Sequence, residues 1–132
     1  MGKKRIMVVD DSRPIVRAVE LLLKAEGFEV VPAYSGKECL DKLKSVNPDL
    51  VLLDIMMPGI HGWEVCRRIK ETNKDTKVIF LTVVGVTKPE KLSSLTQKFH
   101  AQIAKEELGA VDYITKPFDN EDLIRRIKRA LE

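Results

Sequence analysis

The sequence predicts an α/β domain, a doubly wound parallel sheet of five strands with helices on both faces. Three observations predict it. Short continuous apolar runs alternate from end to end with segments whose apolar residues recur at helical spacing. The runs are unbroken, as expected of strands buried on both faces in a parallel sheet. No linker, internal repeat or low-complexity stretch interrupts the series.

The first run, Ile6-Met7-Val8-Val9, stops abruptly at Asp10 and Asp11. Ile15, Val19, Leu22 and Leu23 then keep helical spacing until Gly27 stops the first helix. A second strand is expected from Phe28 to Ala33, and Pro32 argues for an edge position. The second helix spans Gly36 to Val46 with Cys39, Leu40 and Leu43 on one face. Leu50-Val51-Leu52-Leu53 is the third strand and ends, like the first, at an aspartate, Asp54. Pro58 and Gly59 mark a loop. A third helix is expected from Trp63 to Lys70, with Val65, Cys66 and Ile69 inward.

Val78-Ile79-Phe80-Leu81 is the fourth strand, terminated by Thr82. A long segment, mostly helical, follows to Leu108, with Gly109 as its cap. Thr87-Lys88-Pro89-Glu90 reads as its capping box, and Leu92, Leu95, Phe99 and Ile103 keep one apolar stripe. This makes a lengthened fourth helix, with Ser93-Ser94 as the place where it would divide. Val111 to Thr115 is the fifth strand, ending at Lys116, and Leu123, Ile124, Ile127 and Leu131 define the last helix.

A chain of 132 residues fits one domain, 1–132, with a full core. Lys and Arg number 23 against 20 Asp and Glu, and the signs are interspersed. Composition therefore gives no case for a nucleic-acid or membrane partner. Cys39 and Cys66 fall on apolar helix stripes with no C-x-x-C pattern, so they are expected as buried free thiols. The charged start without an apolar run, and the lack of any membrane-length apolar stretch, lead us to expect a cytoplasmic domain. No output domain is expected after the last helix.

The polar residues that carry chemistry collect where the apolar runs stop. Asp10 and Asp11 follow the first strand, Asp54 the third, Thr82 the fourth and Lys116 the fifth. In open α/β sheets these carboxyl ends are where ligands bind. Three carboxylates gathered there repel one another and tend to hold protons unless a cation is present. A hard divalent ion such as Mg2+ resolves this, since it favours oxygen ligands. The lysine adds positive charge for an anion, and the threonine adds a hydroxyl donor. Such a site suits a phosphoryl group, with one of the aspartates as nucleophile.

Singly, each residue has an ordinary structural role. Asp11 or Ser12 would cap the helix ahead of Pro14, Thr82 would be a strand residue, and Lys116 a solvated surface lysine. His61 reads as a solvated loop histidine, His100 lies in a polar helix without ligand partners, and Trp63 is expected as a packed anchor. It is the joint placement at the strand ends that favours a site.

In these motifs the sequence resembles the CheY-like receiver domain of two-component response regulators. The motifs are Asp10-Asp11, the run Leu53-Asp54-Ile55-Met56-Met57-Pro58-Gly59, Thr82, and Thr115-Lys116-Pro117-Phe118. The resemblance covers almost the whole chain. It implies a flavodoxin-like strand order 2-1-3-4-5, with Asp54 as phosphoacceptor. Asp11 is then a direct Mg2+ ligand, Asp10 a ligand largely through water, and the Met56 backbone carbonyl completes the protein's share together with Asp54. Lys116 contacts phosphoryl oxygens, while Thr82 and Tyr113 form the switch pair. The peptide before Pro117 is commonly cis in this family.

The resemblance further implies a signalling switch rather than an enzyme. Its partners would be a sensor histidine kinase or phosphotransfer protein, a downstream protein, and a second copy of the chain as a candidate. Direct nucleic-acid or membrane binding by this domain is not implied. Two departures stand out. The segment between Thr82 and Lys116 is longer than the family usually has, on the face expected to change with phosphorylation. Val83 stands where the family prefers a very small residue, and with Met56 and Val84 it leads us to expect slow self-dephosphorylation. A phosphatase of the haloacid dehalogenase type would want an acid two residues after the nucleophile, where Met56 stands. A phosphate-independent binding module would not need the full set of side chains.

Overall fold

The computed structural model describes residues 2–83 and 109–132. Five strands, β1 (Arg5–Val9), β2 (Glu29–Ala33), β3 (Leu50–Leu53), β4 (Lys77–Val83) and β5 (Asp112–Lys116), form one sheet of order β2-β1-β3-β4-β5. Every neighbouring pair is parallel. The described helices are α1 (Arg13–Ala25), α2 (Gly36–Val46), α3 (Gly62–Thr72) and α4 (Asn120–Ala130). The doubly wound fold and its strand order are as expected. The long helix expected between Thr82 and Gly109, with its capping box and His100, lies outside the described residues.

Strand residues alternate between two cores, as the two-residue period of a strand requires. Met7, Val9, Val51, Leu53, Val78 and Phe80 face the layer of α2 and α3, where Cys39, Leu43, Val65, Cys66 and Ile69 meet them. Ile6, Val8, Leu50, Leu52, Ile79, Leu81 and Ile114 face α1 and α4, against Val16, Val19, Leu23, Leu123 and Ile127. Both cysteines are buried and neither is in a disulfide, and burial pushes their thiols up to about 12 and about 11. Pro32 lies on the edge strand β2, as its missing N–H predicts.

Local chemistry sets the helix starts. At α2, the Ser35 hydroxyl oxygen accepts the Glu38 N–H at 3.0 Å, while the Glu38 carboxylate accepts the Tyr34 N–H at 3.0 Å. At α3, exposed His61 is the cap, its Nδ1 accepting the Trp63 N–H at 3.1 Å. Its ring stands edge-on to partly buried Trp63 at 5.7 Å. Asp119 caps α4 through the Glu121 N–H at 3.1 Å. At α1 the expected side-chain cap by Asp11 or Ser12 is absent. Ser12 is the cap residue by backbone alone, and its N–H goes to Asp10 instead.

Several boundaries differ from expectation, those of four elements for reasons the contacts show. β2 begins at Glu29, because the Phe28 N–H bonds the Leu23 carbonyl at the end of α1 and its ring packs with the α1–α4 layer. α3 runs two residues further, to Thr72, where the Thr72 hydroxyl bonds the Arg68 carbonyl at 2.9 Å. β4 extends through Thr82 to Val83, so Thr82 is a strand residue paired with Thr115, and Val83 pairs with Lys116. β5 is shifted by one, with Lys116 its last residue.

The loop after β3 is fixed by a close backbone approach. The Gly62 N–H donates to the Ile55 carbonyl at 3.1 Å, and a Cβ on Gly62 would lie 2.5 Å from Ile55 Cα and 2.7 Å from the Asp54 carbonyl oxygen. Both neighbours are backbone and cannot rotate away. We therefore expect Gly62→Ala to destabilise the protein by on the order of 2 kcal/mol, through overpacking. Urea unfolding of the variant beside the parent protein measures it, and a midpoint unchanged within error would refute the close packing.

Candidate functional site

Register places the acidic residues. Val9 of β1 pairs with Leu53 of β3, so Asp10 and Asp54 leave neighbouring strands at the same level. Their backbones are tied down as well. The Asp54 N–H donates to the Val9 carbonyl at 2.9 Å, and the Asp10 N–H donates to the Ala33 carbonyl at 3.1 Å. One carboxylate oxygen from each of Asp10, Asp11 and Asp54 lies within 4.8 Å of the others. Asp10 and Asp54 are buried, at 3% and 6% exposure, whereas Asp11 is exposed to solvent.

Each buried carboxylate uses one oxygen for the backbone and turns the other to a cation. Asp10 Oδ1 accepts the Ser12 N–H at 2.9 Å, and Asp54 Oδ1 accepts the Met56 N–H at 3.2 Å. The Lys116 ammonium donates to Asp10 Oδ2 and stands 3.8 Å from Asp54 Oδ2. The lysine side chain is itself almost fully covered, unlike the solvated surface lysine that the residue taken alone would suggest. The Lys116-Pro117 peptide is cis.

Among the described residues three carboxylates face one ammonium here, and the imbalance is felt at Asp54. Burial, followed by the Asp10 charge, raises its carboxyl from 3.8 to about 6, with a smaller push from Asp11. Lys116 and the Met56 N–H act in the opposite sense but do not outweigh them. The donor set is hard oxygen throughout, with an acid cluster open to solvent on the Asp11 side. This chemistry fits Mg2+, which takes a few carboxylates and retains several waters.

Asp10, Asp11, Asp54 and Lys116 thus come together as the strand ends indicate. Met56 adjoins them through its peptide, and the residue is 49% exposed. Thr82 is brought beside Thr115 by the ladder; its side chain, that of Val83 and residues 84–108 lie outside the described residues. Tyr113 pairs in register with Phe80, stands 6.3 Å from its ring, and is half-buried against the α2–α3 layer. Burial raises its phenol above the ordinary range.

Two contributors escape sequence reading. Ser12 serves through its N–H, for which the only signal is its position two residues after an aspartate. Gly62 holds the acid loop by lacking a Cβ, and a glycine before a tryptophan does not announce that. The Arg13 guanidinium lies 4.1 Å over the Tyr34 ring, a cation–π contact between the start of α1 and the loop after β2. Among the described residues no helix is long and apolar enough to cross a membrane.

A family model described as response regulator receiver domain matches residues 6–128. An uncharacterized transcriptional regulatory protein of Bacillus subtilis, YkoG, is 40% identical over 131 residues, covering 99% of this chain and 52% of its own length. The chain therefore spans about half the length of that curated relative. Among solved structures, a CheY-like response regulator receiver domain protein from Methanospirillum hungatei matches with TM-score 0.82 at 31% identity, covering 98% of this chain and 94% of that one. The response regulator TrrA of Thermotoga maritima, solved in complex with Mg(2+)-BeF, matches with TM-score 0.75 at 36% identity, covering 97% and 99%. With its sheet order, its strand-end acid cluster and a family match over nearly its full length, the chain belongs to the response regulator receiver domains.

Proposed function

We propose that the chain is a phosphorylation switch in which Asp54 takes a phosphoryl group from the phosphohistidine of a sensor histidine kinase or phosphotransfer protein. The convergence of Asp10, Asp11, Asp54 and Lys116 at the ends of β1, β3 and β5 carries this reading. Mg2+ would be held by Asp11 directly, by Asp10 largely through water, by Asp54 and by the Met56 backbone carbonyl. When bound, it neutralises charge on the phosphoryl oxygens.

The chain's own residues do the rest. The Met56 N–H anchors Asp54 Oδ1, which leaves Oδ2, the oxygen facing Lys116, as the nucleophile. As it bonds phosphorus, the bond from phosphorus to the histidine nitrogen breaks. Lys116 exchanges its carboxylate partners for a phosphoryl oxygen. Thr82, whose backbone sits one strand away at the Thr115 level, supplies the switch hydroxyl, and Tyr113 the switch ring. The consequence is a shift of population at the face of β5 and α4.

In this reading residues 1–132 act as one receiver unit in the cytoplasm and as a switch, not an enzyme. Its output is a protein contact, with a downstream partner or a second copy. Nothing in the reading requires nucleic acid or membrane to touch this domain.

Incubation with Mg2+ and acetyl phosphate, followed by intact-mass measurement, tests the proposal. We expect a stable phosphoryl adduct that disappears in Asp54→Asn. Turnover without adduct would point to a phosphatase, and no adduct from acetyl phosphate or a kinase would leave a binding module. The adduct should also persist for minutes or longer at neutral pH with Mg2+, because the Met56 thioether cannot position a hydrolytic water. A half-life of seconds would contradict this.

The raised Asp54 pKa has a stability consequence with a definite sign. The native state holds the Asp54 proton to about pH 6, whereas an unfolded aspartate releases it near 3.8. Stability from this group is thus full below about pH 4 and is lost as pH rises through 6. We expect Asp54→Asn, in EDTA, to lack this loss and to exceed the parent at neutral pH by on the order of 1–2 kcal/mol. Denaturant unfolding at pH 4.5 and 7.5 measures it; equal pH dependence in both proteins would refute the charge crowding.

A further inference from the structure

Five described residues carry sulfur: Met7, Met56, Met57, Cys39 and Cys66. Four of them are out of reach of solutes. Met7, Cys39 and Cys66 are 0% exposed, and Met57 is 8% exposed. Burial also holds both thiols far above neutrality, so neither offers a reactive thiolate. Met56 is 49% exposed and sits two residues from the phosphoacceptor, with its peptide N–H 3.2 Å from Asp54 Oδ1. The accessible sulfur among the described residues therefore belongs to the residue whose peptide adjoins Asp54.

We propose that Met56 is a site of reversible oxidation through which peroxide tunes the lifetime of the Asp54 phosphoryl group. The inference rests on the receiver reading above and concerns regulation of the same site. In the step, the thioether sulfur attacks one oxygen of hydrogen peroxide and the O–O bond breaks. An S–O bond forms, the sulfur loses two electrons, and the other peroxide oxygen leaves as water. The product, methionine sulfoxide, is restored by a dithiol-dependent reductase, which releases the oxygen as water.

The change in chemistry is large for so small an addition. A thioether is a weak hydrogen-bond acceptor and presents an apolar surface at the rim. A sulfoxide oxygen is a polar acceptor that can hold a water beside Asp54, whose side chain is otherwise covered. Reduced Met56 keeps hydrolytic water unpositioned, and oxidised Met56 supplies the missing acceptor. Oxidation therefore shortens the phosphorylated state. Because Met7 and Met57 lie in the core on the α2–α3 side, mild peroxide reaches Met56 before it can damage packing.

The test combines peptide mapping with adduct lifetime. The protein is treated with limiting hydrogen peroxide, mapped for an added oxygen at Met7, Met56 and Met57, and then phosphorylated with acetyl phosphate and Mg2+. We expect the oxygen at Met56 ahead of the other two. We also expect an adduct half-life about fivefold shorter, the change that one ordinary hydrogen bond to the attacking water corresponds to. Methionine sulfoxide reductase should restore the longer half-life. In Met56→Leu, peroxide-treated and untreated samples should decay alike, whatever their common rate. Oxidation at Met7 or Met57 first, or an unchanged or longer half-life in the Met56 sulfoxide form, would overturn the inference. If the untreated protein forms no adduct at all, it is the receiver reading that fails.

Discussion

The structure turns on the crowding of three carboxylates within 4.8 Å at the ends of two neighbouring strands. Like charges at that distance, two of them buried, are unfavourable, and a fold keeps such a group only if something else fixes it. Here parallel register fixes it. Asp10 and Asp54 each hang from a strand whose N–H groups are spent on the next strand, so neither can retreat without breaking the ladder. The sheet and its two cores supply the stability, and the acid site is strain set on top of them.

That division explains how Lys116 is placed. It is the last residue of β5, far across the sheet in strand order, yet its ammonium reaches Asp10 and approaches Asp54. A single buried cation is shared among several anions, so each carboxylate is only partly compensated. Such partial compensation makes the site responsive: an added cation or a new anion would each change the best arrangement of the same few side chains.

Much of this is legible in the sequence because the signals are local. Ile6-Met7-Val8-Val9 and Leu50 to Leu53 are unbroken apolar runs, and such runs mark parallel strands and where they stop. Asp10, Asp54 and Lys116 could be named from those stops. What stays hidden depends on three-dimensional approach. Thr82 looks like the residue after a strand, yet the ladder with β5 carries β4 through it, because pairing with Thr115 outweighs the polar hydroxyl. His61 resembles a loop histidine, but its Nδ1 closes the start of α3. The importance of Gly62 lies in the Ile55 backbone passing behind it, and a sequence does not show what passes behind a residue.

The edge strand β2 has a consequence for assembly. Pro32 offers no N–H, and its carbonyl is taken by the Lys42 ammonium at 2.9 Å, which also pairs with Glu38. At Pro32 a foreign strand finds neither an N–H donor nor an uncommitted carbonyl. Sheet extension by strand addition is thus hindered on the β2 side. Beside Pro32, a second copy of the chain or another protein meets side chains such as Lys42 and Glu38 rather than open backbone, so side-chain identity sets the choice of partner there.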